Sequence, residues 1–238
     1  MELSDSLKGE VMTHIELATV EEAKKILGRN FHGPEEVNDL FNCDLNKRSG
    51  WIIPYDKRTL EKYADQCILF PGCAKDSSDQ LITLSWFTEK FPKYKKPTFI
   101  GDLGHGYGLD DFHAKTTCQH GQWYLIHKQF PDTRSADSRI IVEHDCRKVV
   151  KTEDKIKTLQ PHERLEKAIV YVFGMLLHHF YTKEKMYHYD YVLCDDLASD
   201  GRRIRIGYFE YLQIYIGTFQ PGIYWNILGI APGVKPLI

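Results

Sequence analysis

A chain of 238 residues with 42% hydrophobic and 27% charged side chains can bury a sizeable core and has the composition of an ordinary folded domain. Its net charge of −2 excludes a bulk electrostatic footprint for nucleic acid. The longest near-apolar run, Ala168 to Leu177, falls well short of the roughly 20 residues of a membrane span. Met1 to Glu10 carries acids rather than the apolar core of a signal peptide, so a cytoplasmic protein with no membrane partner is expected.

The elements are predicted in chain order from periodicity and punctuation. Thr19-Val-Glu-Glu-Ala-Lys-Lys-Ile-Leu-Gly fits a capped helix, with Thr19 at the N-cap, Glu22 completing a capping box and Gly28 as the stop. Gly33-Pro34-Glu35-Glu36 opens a second helix through Phe41, with Pro34 at its first position. Thr59 to Asp65 reads as a third. Gln66 to Phe70 is an apolar strand stopped by Pro71-Gly72, and Leu81 to Phe91 has helical spacing, with Thr83 or Ser85 near the start. Pro97 to Gly101, Gln122 to Phe130 and Ile140 to Glu143 read as strands.

The strongest helix is expected from Pro161, with Leu165, Ala168, Ile169, Val172, Phe173, Leu176, Leu177 and Phe180 on one face. Beyond it, Tyr189, Tyr191 and Leu193 alternate with Asp190, Val192 and Cys194. Ile204, Ile206 and Tyr208 alternate with Arg203, Arg205 and Gly207, so Asp200-Gly201 joins two strands of a hairpin. Leu212, Ile214 and Ile216 supply a third strand, leaving Tyr211 and Tyr215 on the opposite phase. Strands and helices do not alternate in βαβ order. The expectation is a single α+β domain over 1–238, with a weak sub-boundary near 95–97. A helical N-terminal part would precede an antiparallel or mixed sheet, whose C-terminal β-meander packs on a central amphipathic helix.

Several polar groupings could carry chemistry. Asp102, His105, Asp110, Asp111, His113, Cys118 and His120 crowd a glycine-rich stretch and offer the ligand types that divalent transition metals prefer. Their spacing matches no ligand template. The metal set would be Asp102, His105, Asp111, His113 and His120. Asp195, Asp196 and Asp200 gather at the hairpin tip beside Arg202 and Arg203, but Ala198 and Gly207 fall at two positions where a calcium loop needs oxygen ligands. His178 and His179 cannot share an ion on a regular helix, and structural roles near its C-terminus are expected of them. The six cysteines, Cys43, Cys67, Cys73, Cys118, Cys146 and Cys194, form no Cys-x-x-Cys; most are expected to be reduced and several buried, with Cys67 and Cys194 in the core.

Trp123-Tyr-Leu-Ile, Thr133-Arg134, the apolar helix, and Cys194-Asp-Asp followed by Ser199-Asp-Gly-x-Arg-Ile-x-Ile-Gly resemble a set of uncharacterised bacterial proteins. With Glu21-Glu-Ala-Lys-Lys-Ile-Leu-Gly, the resemblance covers much of the C-terminal half and one N-terminal helix. It implies a recurrent α+β domain and no function.

The leading functional expectation is a non-catalytic protein that presents an aromatic, acid-tipped C-terminal sheet to another protein through Asp195, Asp196, Asp200, Arg202, Tyr211 and Tyr215. The alternatives are a metal-dependent hydrolase built on the residue 102–120 cluster and single-stranded nucleic-acid binding through Tyr211, Tyr215 and Arg202 to Arg205. For Gly222 to Ile238, docking on the body and docking on a partner stand equally open.

Overall fold

The computed structural model describes residues 16–45, 50–91, 98–101, 115–130, 156, 159–188, 190–199, 201–210, 213–218 and 227–237. Three short helices come first. In α1 (Val20–Leu27) the Thr19 hydroxyl accepts from the Glu22 N–H while the Glu22 carboxylate accepts from the Thr19 N–H, a reciprocal capping box. Pro34 opens α2 (Pro34–Phe41), and the Asp56 carboxylate caps α3 (Lys57–Tyr63) at 2.7 Å from the Thr59 nitrogen. Thr83 caps α4 (Leu84–Lys90), and α5 (Ala168–Thr182) is the long apolar helix.

Two sheets flank α5. The first has the order β1-β3-β9-β4, all antiparallel, from Cys67–Pro71, Trp123–His127, Gly233–Val234 and Glu163–Arg164. The second is mixed. Its order is β2-β7-β6-β5-β8, from Thr98–Gly101, Gln213–Thr218, Arg203–Glu210, Asp190–Leu197 and Ile227–Gly229. Here β5, β6 and β7 form the expected antiparallel meander, while β2 lies parallel to β7 and β8 parallel to β5.

Alternation along the strands sorts their side chains into layers. Ile68, Phe70, Tyr124 and Ile126 face α5, whereas Cys67, Leu69, Trp123 and Leu125 meet Ala23, Leu27, Ile53, Leu60 and Tyr63 beneath α1 and α3. Val192, Cys194, Ile204, Ile206, Phe209, Ile214 and Ile216 join the core around α5 from the second sheet. Held between two sheets, α5 is buried at every position from Ala168 to His179, so it is apolar all round rather than amphipathic. It presses closest at Gly174, where an added Cβ would sit 2.9 Å from both Ile126 Cδ1 and Phe70 Cε1.

Three sequence expectations change. The long helix begins at Ala168 rather than Pro161, because Glu163 and Arg164 pair with Val234 and Gly233 as β4. Phe180, expected on its apolar face, is 40% exposed. The alternation of β6 also breaks: Gly207 takes φ +144° and Tyr208 φ +49°, and the register against β7 shifts between Gly207 and Glu210. This bulge turns Phe209 to the α5 face and moves Tyr208 to the outer face, where it meets Tyr191 and Tyr215. The hairpin turn is as expected in place, with Gly201 at φ +80°, its N–H donating to the Ala198 carbonyl at 2.9 Å. Residues 227–237 dock on the body through β8 and β9. The strand expected at Ile140 to Glu143 lies outside the described residues. Among those described, no helix is long and apolar enough to cross a membrane.

Candidate functional site

Four separate segments converge at the C-terminal end of α5. His32 follows the 3-10 turn Gly28–Asn30, and its backbone N–H donates to the Leu69 carbonyl of β1 at 2.9 Å. That bond lays the segment along the strand and places the imidazole beside the last turns of α5. Lys183 ends the helix in a left-handed conformation, φ +64°, and the chain reverses so that Glu184 returns to His178. Thr182 holds this reversal: its hydroxyl donates to the His178 carbonyl at 2.6 Å and accepts from the Glu184 N–H at 3.1 Å.

The resulting row of polar groups has a direction. His178 Nε2 lies 2.8 Å from Glu184 Oε2, and His32 Nε2 lies 3.0 Å from His178 Nδ1. A carboxylate only accepts, so His178 carries its proton on Nε2, and its bare Nδ1 accepts from the Nε2–H of His32. Both rings are uncharged at neutral pH. Burial pushes His32 down to about 4, and burial together with the neighbouring His32 ring and the charges of Lys128 and Arg29 pushes His178 down to about 3. His179 is engaged separately: its Nδ1 donates to the Glu184 carbonyl at 3.0 Å and its ring meets Phe209 edge-on.

Two cations flank the Glu184 carboxylate. Arg29 pairs with Glu184 Oε1, and Lys128 Nζ lies 3.7 Å from Glu184 Oε2. Lys128 also donates to Asn30 Oδ1 at 3.0 Å, while Asn30 Nδ2 donates to the Ala64 carbonyl at 2.7 Å and so fixes the amide. Burial first, and then the positive charge of Arg29, hold the Lys128 ammonium below the usual lysine range. Lys128, His178 and Glu184 open onto a cavity of about 410 Å³, whose wall also includes Asp65, Gln66, Phe130 and Met186. That volume suits a small organic molecule.

His120, expected as a metal ligand, instead faces a sulfur. Its Nδ1 lies 3.8 Å from Cys73 Sγ. Cys73 and Cys118 are buried and Cys43 is 8% exposed, and the Cys73 thiol donates to the Lys75 carbonyl at 2.9 Å. The other expected ligands, Asp102, His105, Asp111 and His113, lie outside the described residues. Among the described residues, no group of three or more His, Cys, Asp or Glu could hold a metal ion.

The hairpin-tip acids are divided in their roles. Asp195 is exposed and 3.7 Å from Arg203 Nη1. Asp196 is buried, and its Oδ2 accepts from the Ala168 N–H at 2.5 Å, capping α5 from another element. Arg202 is half-buried and its carbonyl accepts from the Ala198 N–H. Tyr215 is half-buried in an aromatic group: Tyr191 and Tyr208 stack at 5.9 Å, Tyr208 meets Tyr215 at 5.6 Å, and the Arg205 guanidinium sits 4.3 Å over Tyr191. Asp200 and Tyr211 lie outside the described residues.

Sequence reasoning missed the group at His32, Lys128 and Glu184. The only local signal was the histidine pair at the helix end with an acid shortly after it; the other partners come from β1, β3 and the α1 exit. No protein-family model matches the chain, and no curated protein or solved structure shows significant similarity to it.

Proposed function

We propose that the protein binds a small organic anion with an apolar portion in the cavity at the C-terminal end of α5, and does so without transforming it. One observation carries this reading. A partly buried Lys128 ammonium stands in the cavity wall with Asp65, and shares the Glu184 carboxylate with Arg29, yet burial and the Arg29 charge still hold it below the usual lysine range. A further negative charge, brought by a ligand into contact with the ammonium, would offset both the burial and the repulsion, while Phe130 and Met186 would take its apolar part.

The same geometry argues for recognition over catalysis. A general acid–base group works best with a pKa near the working pH. His32 and His178 sit far below it, and serve instead as fixed, uncharged links that orient Glu184.

Thermal stability and calorimetric titration against small carboxylates and phosphate monoesters with aromatic or aliphatic bodies test the reading. A ligand at about a hundred times its Kd should stabilise the protein by roughly 2.7 kcal/mol. Lys128→Met should weaken binding at least tenfold while leaving the fold intact. Binding unaltered in that variant, or no response to any member of the panel, would remove the proposal.

A further inference from the structure

Resting on the reading of this cavity as an anion site, we infer that its ligand is a zwitterion: a small amino acid with an apolar body, whose carboxylate meets Lys128 and whose ammonium meets Asp65. The two residues come from different segments and are held together by hydrogen bonds on both sides of Asp65. The Lys128 N–H donates to the carbonyl of the next residue, Gln66, at 2.8 Å. The carbonyl of the preceding residue, Ala64, accepts from Asn30 Nδ2 at 2.7 Å, and Oδ1 of the same amide accepts from Lys128 Nζ at 3.0 Å. Asp65 is thus flanked by the groups that position the Lys128 ammonium, and both residues line the cavity.

The two acids of the wall differ in what they already hold. Glu184 meets Arg29, Lys128 and the His178 ring. Asp65 is exposed and forms no ion pair among the described residues, so it can take a cation without first giving one up. Its charge nonetheless reaches the Lys128 ammonium, where it opposes the effect of burial.

With Lys185 the wall carries two lysines against two acids. A plain anion entering it would be drawn to Lys128 and repelled by Asp65. A ligand bearing both signs turns that repulsion into a second attachment, so Asp65 selects for the amine. Gln66 and Gln129 add amides that pair with either charged end, and Phe130 and Met186 cover the body.

Calorimetric titration of the full chain at neutral pH and low salt tests the inference. Phenylalanine, leucine and aminocaproate are compared with hydrocinnamate, isocaproate and caproate, which lack only the amino group. Because Asp65 is exposed and its charge is screened, at least one zwitterion should bind about three- to tenfold tighter than its partner without the amine. Asp65→Asn, a change at an exposed position, should erase that preference while the plain anions bind as tightly as before or more so. Lys128→Met should weaken both sets. Plain anions that bind wild type as tightly as the zwitterions, or a preference that persists in Asp65→Asn, would overturn the inference and leave the anion site standing. Silence from both sets would remove the anion site and the zwitterion together.

Discussion

A proton on His32 or His178 would place charge inside a buried row that already faces Arg29 and Lys128. The sign follows from linkage: an unfolded histidine titrates near 6.5, whereas these two titrate at about 4 and about 3 in the fold. Their contribution is fully present above pH 6.5, and is lost as pH falls from there through about 4 and about 3. Between those limits each histidine should cost roughly 1.4 kcal/mol of stability per pH unit. Urea denaturation at pH 7.5, 6 and 5 should show this slope, and His178→Gln should be less stable at pH 7.5 yet flatter across the range. An equal slope in the variant would exclude the histidine pair as its source. Asp196 makes a second prediction at this scale. Its carboxylate supplies the N-terminal cap that Lys167 does not, so Asp196→Ala should cost about 1–2 kcal/mol in thermal or chemical unfolding, and Asp196→Asn less. Neither role was legible beforehand. Asp196 read as one of three acids at the hairpin tip, because nothing in its own strand indicates a helix terminus lying above it.

Among the elements, those whose signals are local were readable and those fixed by distant partners were not. Thr19 with Glu22 and Gly33 with Pro34 carry their boundaries within one helical turn, and both helices begin where those residues require. The two residues of β4 have no period to detect, so the apolar spacing that starts at Leu165 was assigned to the helix. Tyr208 shared a phase with Ile206 until the bulge at Gly207 inserted a residue. That bulge depends on Gly207: φ +144° disfavours any side chain, and an added Cβ would collide with the Asp190 carbonyl of β5. Gly207→Ala should therefore destabilise by more than about 2 kcal/mol, or prevent soluble folding. Gly174→Ala is milder in kind, since it meets only the tips of Ile126, Phe70 and Ile68, and about 1–3 kcal/mol of overpacking is expected. Comparing the two unfolding midpoints separates backbone conflict from side-chain crowding.

At the scale of the whole molecule, the α+β class and the central helix were evident from the sequence, while the cavity was not. Its wall draws on the connection before β1, the end of β3 and the residues just after it, α5 and the turn that follows, and none of these segments reads as a site alone. The fold turns that dispersal into rigidity, because β3, which leads into Lys128, pairs with β1 in one sheet and α5 is wedged against it. Ligand affinity should accordingly respond to pH through Lys128: binding weakens as pH rises through the depressed lysine pKa, because the neutral amine no longer attracts an anion. Titration of a bound carboxylate at pH 7 and 9.5 in wild type and Lys128→Met checks this, and a pH effect that survives in the variant would assign it to another group.

The stretch from β8 to β9 belongs to both sheets, bordering β5 in one and filling the place between β3 and β4 in the other. This has a consequence in time. A ribosome releases β3 long before β9, so Leu125 and Ile126 must wait beside an open lane until Val234 and Gly233 arrive. During that interval β3 offers unpaired peptide groups to any neighbouring chain, and the amides along this seam should be among the last to gain protection in pulse-labelled refolding.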